Sequence, residues 1–152
     1  MNRFINTSIS FLIVLSVFVF WGACQPKSPL KTNNKLTATD SVDYYVAQSE
    51  KSDLNNGTAV QLLERAYQYN KTTADSVRIK NLLKIAYRAY TLNDSSYFKK
   101  TNGEALYFSD KLSDSASAAV SHWNFGDFFA KGEVMDSAYY HYYKAKDRKS
   151  VV

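Results

Sequence analysis

Residues 119–145 read AVSHWNFGDFFAKGEVMDSAYYHYYKA, two apolar, aromatic-rich runs separated by the turn-forming KGEVMDS. Upstream, Val77, Ile79, Leu82, Leu83, Ala86, Tyr87 and Tyr90 mostly fall at three- and four-residue intervals over a run too long for a typical strand, which is the pattern of one face of a helix. Within 119–145 the small residues Gly126, Ala138 and Ala145 have counterparts upstream: Ala86, Phe98 and Ala105 stand 40 residues earlier, and Ala47, Ala59 and Ala66 stand 39 before those. Recurrence at such a period marks a helical repeat, since each unit has a hydrophobic face that only a stacked neighbour buries. Phe98 occupies a small-residue slot, and is expected either to wedge its hairpin open or to fill a gap left by the long spacing.

Working outward, Asp and Ser fall where helices should begin, because their side chains accept hydrogen bonds from the unpaired N–H groups of a first turn. Asp40 and Ser41, Asp75 and Ser76, and Asp114 and Ser115 are read as opening the first helix of three hairpins. Asp94 and Ser95, and Asp136 and Ser137, open two of the second helices, and residues 55–57 break the chain before the remaining one. Six helices are predicted, at about 40–51, 57–70, 75–92, 95–111, 114–131 and 136–147. Proline is absent after Pro29, and no alternating stretch argues for a sheet. The expected fold class is all-α.

The quoted stretch resembles a tetratricopeptide repeat. Phe125 and Gly126 match the large-then-small pair of that motif's first helix, Phe129 its next aromatic, and Ala138, Tyr142 and Ala145 the small, aromatic, small series of its second. Gly132 sits near the turn, and His122, beside Trp123, stands where the motif usually has Trp. The middle hairpin keeps Ile85, Ala86 and Ala105 but departs at Phe98 and Asn102. The first keeps Val46, Ala47, Ala59, Leu63 and Ala66. Steps of 39 and 40 residues exceed the ~34 of the standard unit, implying longer helices or turns.

The resemblance implies a right-handed α-solenoid of three hairpins over residues 40–146, whose first helices line a concave groove for a protein or peptide partner. The residues it places there are Tyr44 and Gln48, then Lys80, Leu83, Tyr87 and Tyr90, then Trp123 and Asp127. Aromatic platforms beside Lys80, Gln48 and Asp127 suit an extended peptide or a partner helix. The alternative is that Tyr87, Tyr90 and Trp123 complete the core between repeats.

Residues 1–23 read separately, with Arg3 near the start, an apolar run over 11–21, and the small Gly22 and Ala23: the layout of a secretory signal peptide, the run being shorter than a membrane-spanning helix needs. Cys24 follows, the only cysteine in the chain, so no intramolecular disulfide forms. Small residues before a lone cysteine resemble the lipobox of bacterial lipoproteins, and the looser Bacteroidetes form accommodates Trp21. The resemblance implies lipidation of Cys24, attachment to a membrane through it, a flexible tether over 24–39 and a periplasm-facing place in the bacterial envelope. An ordinary cleaved signal with an incidental cysteine and an uncleaved short anchor remain the alternatives.

The formal net charge of +5 comes from scattered Lys and Arg residues. Nucleic-acid binding would need them gathered into one stripe, so that class is set aside. His122 and His141 have no second His, Asp or Glu at metal-ligand spacing in sequence, the carboxylates are dispersed, and the five glycines form no phosphate-cradling loop. No catalytic residue, metal or cofactor is expected.

Divergent repeats behind a signal sequence resemble the sensory regions of Bacteroidetes hybrid regulators, in which a kinase or helix-turn-helix output domain follows. Residues 147–152 spell one translated frame of a common short-read sequencing adapter, so they are expected to be a non-native tail on a chain that continues beyond Lys146. The alternatives are an ordinary basic tail and a stand-alone periplasmic lipoprotein for envelope assembly or maintenance.

Overall fold

The computed structural model describes residues 37–149 except Ser52; the expected signal segment, Cys24 and the tether up to residue 36 lie outside the described residues, as do 150–152. Among the described residues six helices follow one another, α1 (Ala38–Ser49), α2 (Asn56–Asn70), α3 (Asp75–Thr91), α4 (Ser95–Lys111), α5 (Ser115–Lys131) and α6 (Met135–Lys149). There is no strand among the described residues. No described helix is long and apolar enough to cross a membrane. Each helix packs most closely on its hairpin partner, α1 on α2, α3 on α4 and α5 on α6, while α3 also touches α1 and α5.

Side-chain caps set most of the starts. Asn55 accepts from the Thr58 N–H (2.8 Å), Asp94 from that of Tyr97 (2.9 Å) and Asp114 from that of Ser117 (3.0 Å). The first helix begins earlier than the sequence reading placed it. Thr37 caps it, its hydroxyl accepting from the Asp40 N–H (3.2 Å) while the Asp40 carboxylate accepts from the Thr37 N–H (3.1 Å). Residues 38 and 39 are therefore helical rather than tether. Asp75 and Asp136 do not cap either; they lie in the first turns of α3 and α6, where a carboxylate complements the positive end of the helix dipole. α3 starts after Ala74 with no side-chain cap bond, and α6 runs on through 147–149.

From α3 onward the helices start at 75, 95, 115 and 135, so the repeat is a twenty-residue helix-and-connector unit. Each connector closes its helix in the same way. The N–H groups of Asn93 and Asp94 bond back to the carbonyls of Tyr90 and Ala89 (both 3.0 Å). Ser113 and Asp114 bond to Asp110 and Ser109 (3.2 and 2.8 Å), and Glu133 and Val134 to Ala130 and Phe129 (3.0 and 2.9 Å). This double closure needs a left-handed residue just past the helix, and Asn93, Ser113 and Glu133 supply it with φ of 59°, 55° and 59°. Gly132, expected near the turn, stands at it, one residue before the left-handed Glu133 and at φ −87°.

The core runs through α1 to α4 and is built on Val42, Leu63, Leu82, Ile85, Phe98 and Ala105, all at most 1 % exposed. Burying each large member is worth roughly 1.5–3 kcal/mol, which is what holds helices of this length together. Phe98 fills space rather than wedging it open: its ring stacks on Phe128 (4.9 Å) and meets Phe125 (5.6 Å) and Tyr90 (5.7 Å), joining α3, α4 and α5.

Two buried asparagines tie successive hairpins. Asn70 donates to the Arg78 carbonyl (3.1 Å) and accepts from Asn81 (3.0 Å), and Asn102 donates to the Ser121 carbonyl (2.9 Å) and accepts from Asn124 (3.0 Å). Asn102, a departure from the repeat motif, is thus a hydrogen-bonded joint. The small-residue ruler holds at Ala59, Ala66, Ala86, Ala105, Gly126, Ala138 and Ala145, all buried. It fails at Ala47, which is exposed. Ser41, Val42 and Ser49 are the buried positions of α1, and they stand 40 rather than 39 residues before the buried Asn81, Leu82 and Ala89.

Candidate binding surface

Lys80, Leu83, Tyr87 and Tyr90 lie three or four residues apart, so α3 carries them along one edge, beside the buried stripe of Ile79, Leu82, Ala86 and Ala89. Their environments differ. Leu83 and Tyr90 are half-buried against the core, whereas Lys80 is exposed and Tyr87 stands 64 % exposed. Tyr90 therefore belongs to the core between hairpins, and Tyr87 does not.

On α5, Asp127 faces the same edge. Tyr87, Tyr90 and Asp127 line one shallow cleft with Phe98 and Asn124. Asn124 was not foreseen there, although three residues before Asp127 it necessarily shares that helix face. The Tyr142 hydroxyl of α6 donates to the Asp127 carboxylate (2.7 Å), and this bond, with burial second, pushes the phenol up to about 12. Tyr142 stays protonated and fixes one oxygen of Asp127. The Tyr142 ring also meets Trp123 edge-on (5.2 Å), and Trp123, 57 % exposed, faces the far end of the α5–α6 hairpin instead of the cleft.

Tyr44 and Gln48 sit at the other end of the array, on α1. Tyr44 is half exposed and packs edge-on against Tyr45 (5.2 Å), which stacks on Tyr69 of α2 (5.6 Å). What joins α1 to α3 is a different set: Lys84 pairs with Asp43 (2.6 Å), and the Arg88 guanidinium donates to the Ser49 carbonyl. Of the eight residues expected in one groove, the structure thus gathers Tyr87, Tyr90 and Asp127 at a single cleft. α6 displays a further exposed aromatic set, Tyr139, Tyr140 and Tyr143, that no sequence argument singled out.

The two histidines come together in space. Separated by 19 residues and isolated in sequence, His122 and His141 meet across the α5–α6 hairpin with their Nδ1 atoms 3.0 Å apart, and His141 packs among Phe125, Phe129 and Tyr140. Burial holds both below the ordinary histidine value, His122 also through its partner ring. One ring donates and the other accepts, which fixes opposite tautomers. Among the described residues no three His, Cys, Asp or Glu side chains come together as metal ligands.

These elements place the aromatic rings of Tyr87, Tyr90 and Phe98 beside the polar side chains of Asn124 and Asp127. Compared with known protein families, with curated proteins and with solved structures, the chain matches none.

Proposed function

We propose that this chain is a non-enzymatic scaffold that binds a protein or peptide partner. In this reading its six helices form a right-handed solenoid of three tetratricopeptide-like hairpins, and the partner lies along the edge of α3 and α5. The observation that carries the proposal is Tyr87: a large aromatic ring left 64 % exposed on a well-packed helix, over a cleft that offers Asn124 and Asp127 as polar contacts. Exposed Tyr beside polar acceptors is the composition of peptide-binding hot spots. The lipobox resemblance at Cys24 adds a tether to the bacterial envelope, where the scaffold would serve as the recognising part of a signalling or envelope-maintenance assembly.

The test is selection from a random dodecapeptide library displayed on phage. The wild-type chain should enrich a shared motif that Tyr87→Ala and Asp127→Ala fail to retain, with an unchanged Tm for Tyr87→Ala. Equal enrichment by all three proteins, or none by any, defeats the proposal. Tyr90→Ala is not the variant to use, since its packing on Phe98 confounds binding with stability. For the tether, Cys24→Ala should release the protein from the membrane fraction and abolish metabolic labelling with palmitate.

A further inference from the structure

Two imidazoles face each other at a point of the hairpin where packing alone asks for none. Forty residues before His122 and His141 stand Leu82 of α3 and Thr101 of α4, both fully buried, and the Thr101 hydroxyl donates to the Tyr97 carbonyl of its own helix (2.8 Å). One aliphatic and one small side chain thus satisfy this position. The rings that replace them are aimed at one another. Their Nδ1 atoms are 3.0 Å apart and their centroids 5.3 Å, a difference that matches two ring radii, so both Nδ1 atoms lie close to the line between the ring centres. The donor direction of each nitrogen follows that line.

We propose that His122 and His141 form a two-coordinate site for a closed-shell univalent cation, Cu(I) or Ag(I), held between their Nδ1 atoms. Two nitrogen donors in line are a set that such an ion accepts. Zn(II) wants a tetrahedron of four ligands and Cu(II) a tetragonal set, and among the described residues no three His, Cys, Asp or Glu side chains come together. The surroundings also favour the lower charge. Phe125 and Phe129 pack on His141, and Lys144 and Arg148 act on His122 as cations against the carboxylate of Asp110. Both rings are held below the ordinary histidine value, chiefly by burial, so at neutral pH they are uncharged, the form in which imidazole ligates. When the ion enters, the ring that donated the hydrogen bond loses its Nδ1 proton to water and gains one at Nε2, and the freed lone pair forms the bond to the metal. The net proton count is unchanged. Metal–imidazole bonds of about 2 Å require the two nitrogens to part by about 1 Å. His141 has room to do so, being partly exposed where His122 is buried. The site uses neither Cys24 nor the edge of α3, so it stands apart from the scaffold reading.

The full chain carrying Cys24→Ala, which removes its one thiol, tests the proposal by calorimetric titration under argon with Cu(I) supplied as its acetonitrile complex. Binding should saturate at a single equivalent. It should be lost in His141→Thr and in His122→Leu/His141→Thr, which copies Leu82 and Thr101, and kept in Met135→Leu, which removes the exposed thioether of α6. No binding by the parent, or undiminished binding by the double variant, overturns the proposal. Loss in Met135→Leu overturns it too, by placing the ion on sulfur, and so does Zn(II) binding as tight as that of Cu(I). A second measurement does not depend on any histidine variant folding. In the isotope-labelled parent, nitrogen NMR should show a single equivalent of Ag(I) shifting the Nδ1 resonances of both rings while both Nε2 atoms stay protonated. A shift confined to one ring, or one at Nε2, equally overturns the site.

Discussion

The α3–α4 and α5–α6 hairpins share a backbone plan forty residues apart, yet their contacts are made by different side chains. Where the first has Ala86 and Asn102, the second has Gly126 and Tyr142. A Cβ on Gly126 would stand 2.5 Å from the Tyr142 ring, so the large residue on α6 is possible only because its neighbour on α5 has lost its side chain. Where the first hairpin has Leu82 and Thr101, the second has the His122–His141 pair. The Thr101 hydroxyl satisfies itself on the Tyr97 carbonyl of its own helix (2.8 Å), whereas the two rings satisfy each other across the hairpin. Where Phe98 bridges three helices, the second hairpin has the small, buried Ala138. What repeats is complementary volume and satisfied polarity, exchanged in sets, and residue identity follows from that.

Removing the largest member of a set breaks the comparison most severely. Phe98→Ala should cost about 3–5 kcal/mol in urea unfolding, since its ring is 1 % exposed and holds Tyr90, Phe125 and Phe128 together. A loss below about 1 kcal/mol would show that this ring does not join α5 to the preceding hairpin. Gly126→Ala should cost about 1–3 kcal/mol through overlap with Tyr142. Its sharper form is a double-mutant cycle with Tyr142→Asn, which restores the Ala and Asn pair of the α3–α4 hairpin. The alanine should then cost much less than in the wild-type background, and strict additivity would refute the volume exchange.

These sets explain which features were legible in the sequence. Helix ends were, wherever one local side chain decides them, as Asn55, Asp94 and Asp114 do. At α1 two residues could cap: Asp40 is a good cap by type, but Thr37 takes the role with Asp40 as its capping-box partner, which sets the start earlier. Ala47 was misplaced for a longer-range reason. The α1–α2 connection over 50–55 is longer than the 92–94 connector between α3 and α4, so first helices recur at one spacing and second helices at another, and a single ruler slips between them. Tyr87 and Asp127 could be assigned to an edge because helical spacing is local. The His122–His141 contact could not, because it depends on the rotation of α5 against α6, which is set by Tyr142 on Gly126 and by the packing of Phe125 and Phe129.

That histidine pair distinguishes the two hairpins by pH. In the folded chain burial first, and for His122 the His141 ring next, hold the rings below the ordinary value of 6.5; Arg148 and Lys144 act on His122 in the same direction and Asp110 against them. The unfolded chain therefore takes up protons at higher pH than the folded one, so stability is full above the unfolded value and falls as pH drops through 6.5 toward the folded values. A single proton leaves an Nδ1–H to Nδ1 bond possible, while a second sets two N–H groups against each other. Tm measured from pH 8 to pH 5 should fall, and it should fall less in His122→Leu/His141→Thr, which copies Leu82 and Thr101. Equal slopes would assign the acid loss to other groups.

The smallest effects lie in the three connectors, which share one backbone and differ in chemistry. Asn93, Ser113 and Glu133 occupy the left-handed position; Asn tolerates it, and Glu is the least suited of the three because its side chain gains no local bond there. Glu133→Gly should stabilise by up to about 1 kcal/mol, the relief of backbone strain exceeding the added freedom of the unfolded chain, and Asn93→Gly by less. Gly132→Ala should also stabilise, by roughly 0.4–1 kcal/mol, because its φ is ordinary. The added Cβ would meet the Phe129 and Phe128 carbonyl oxygens at 3.6 and 3.7 Å, ordinary contact distances. If both changes raise Tm and add, the third connector was limited by its residues alone and its double closure matches that of the other two. Should Glu133→Gly be neutral while Gly132→Ala stabilises, the left-handed turn carries no strain at Glu133, and an interaction of that side chain must offset what its backbone conformation costs.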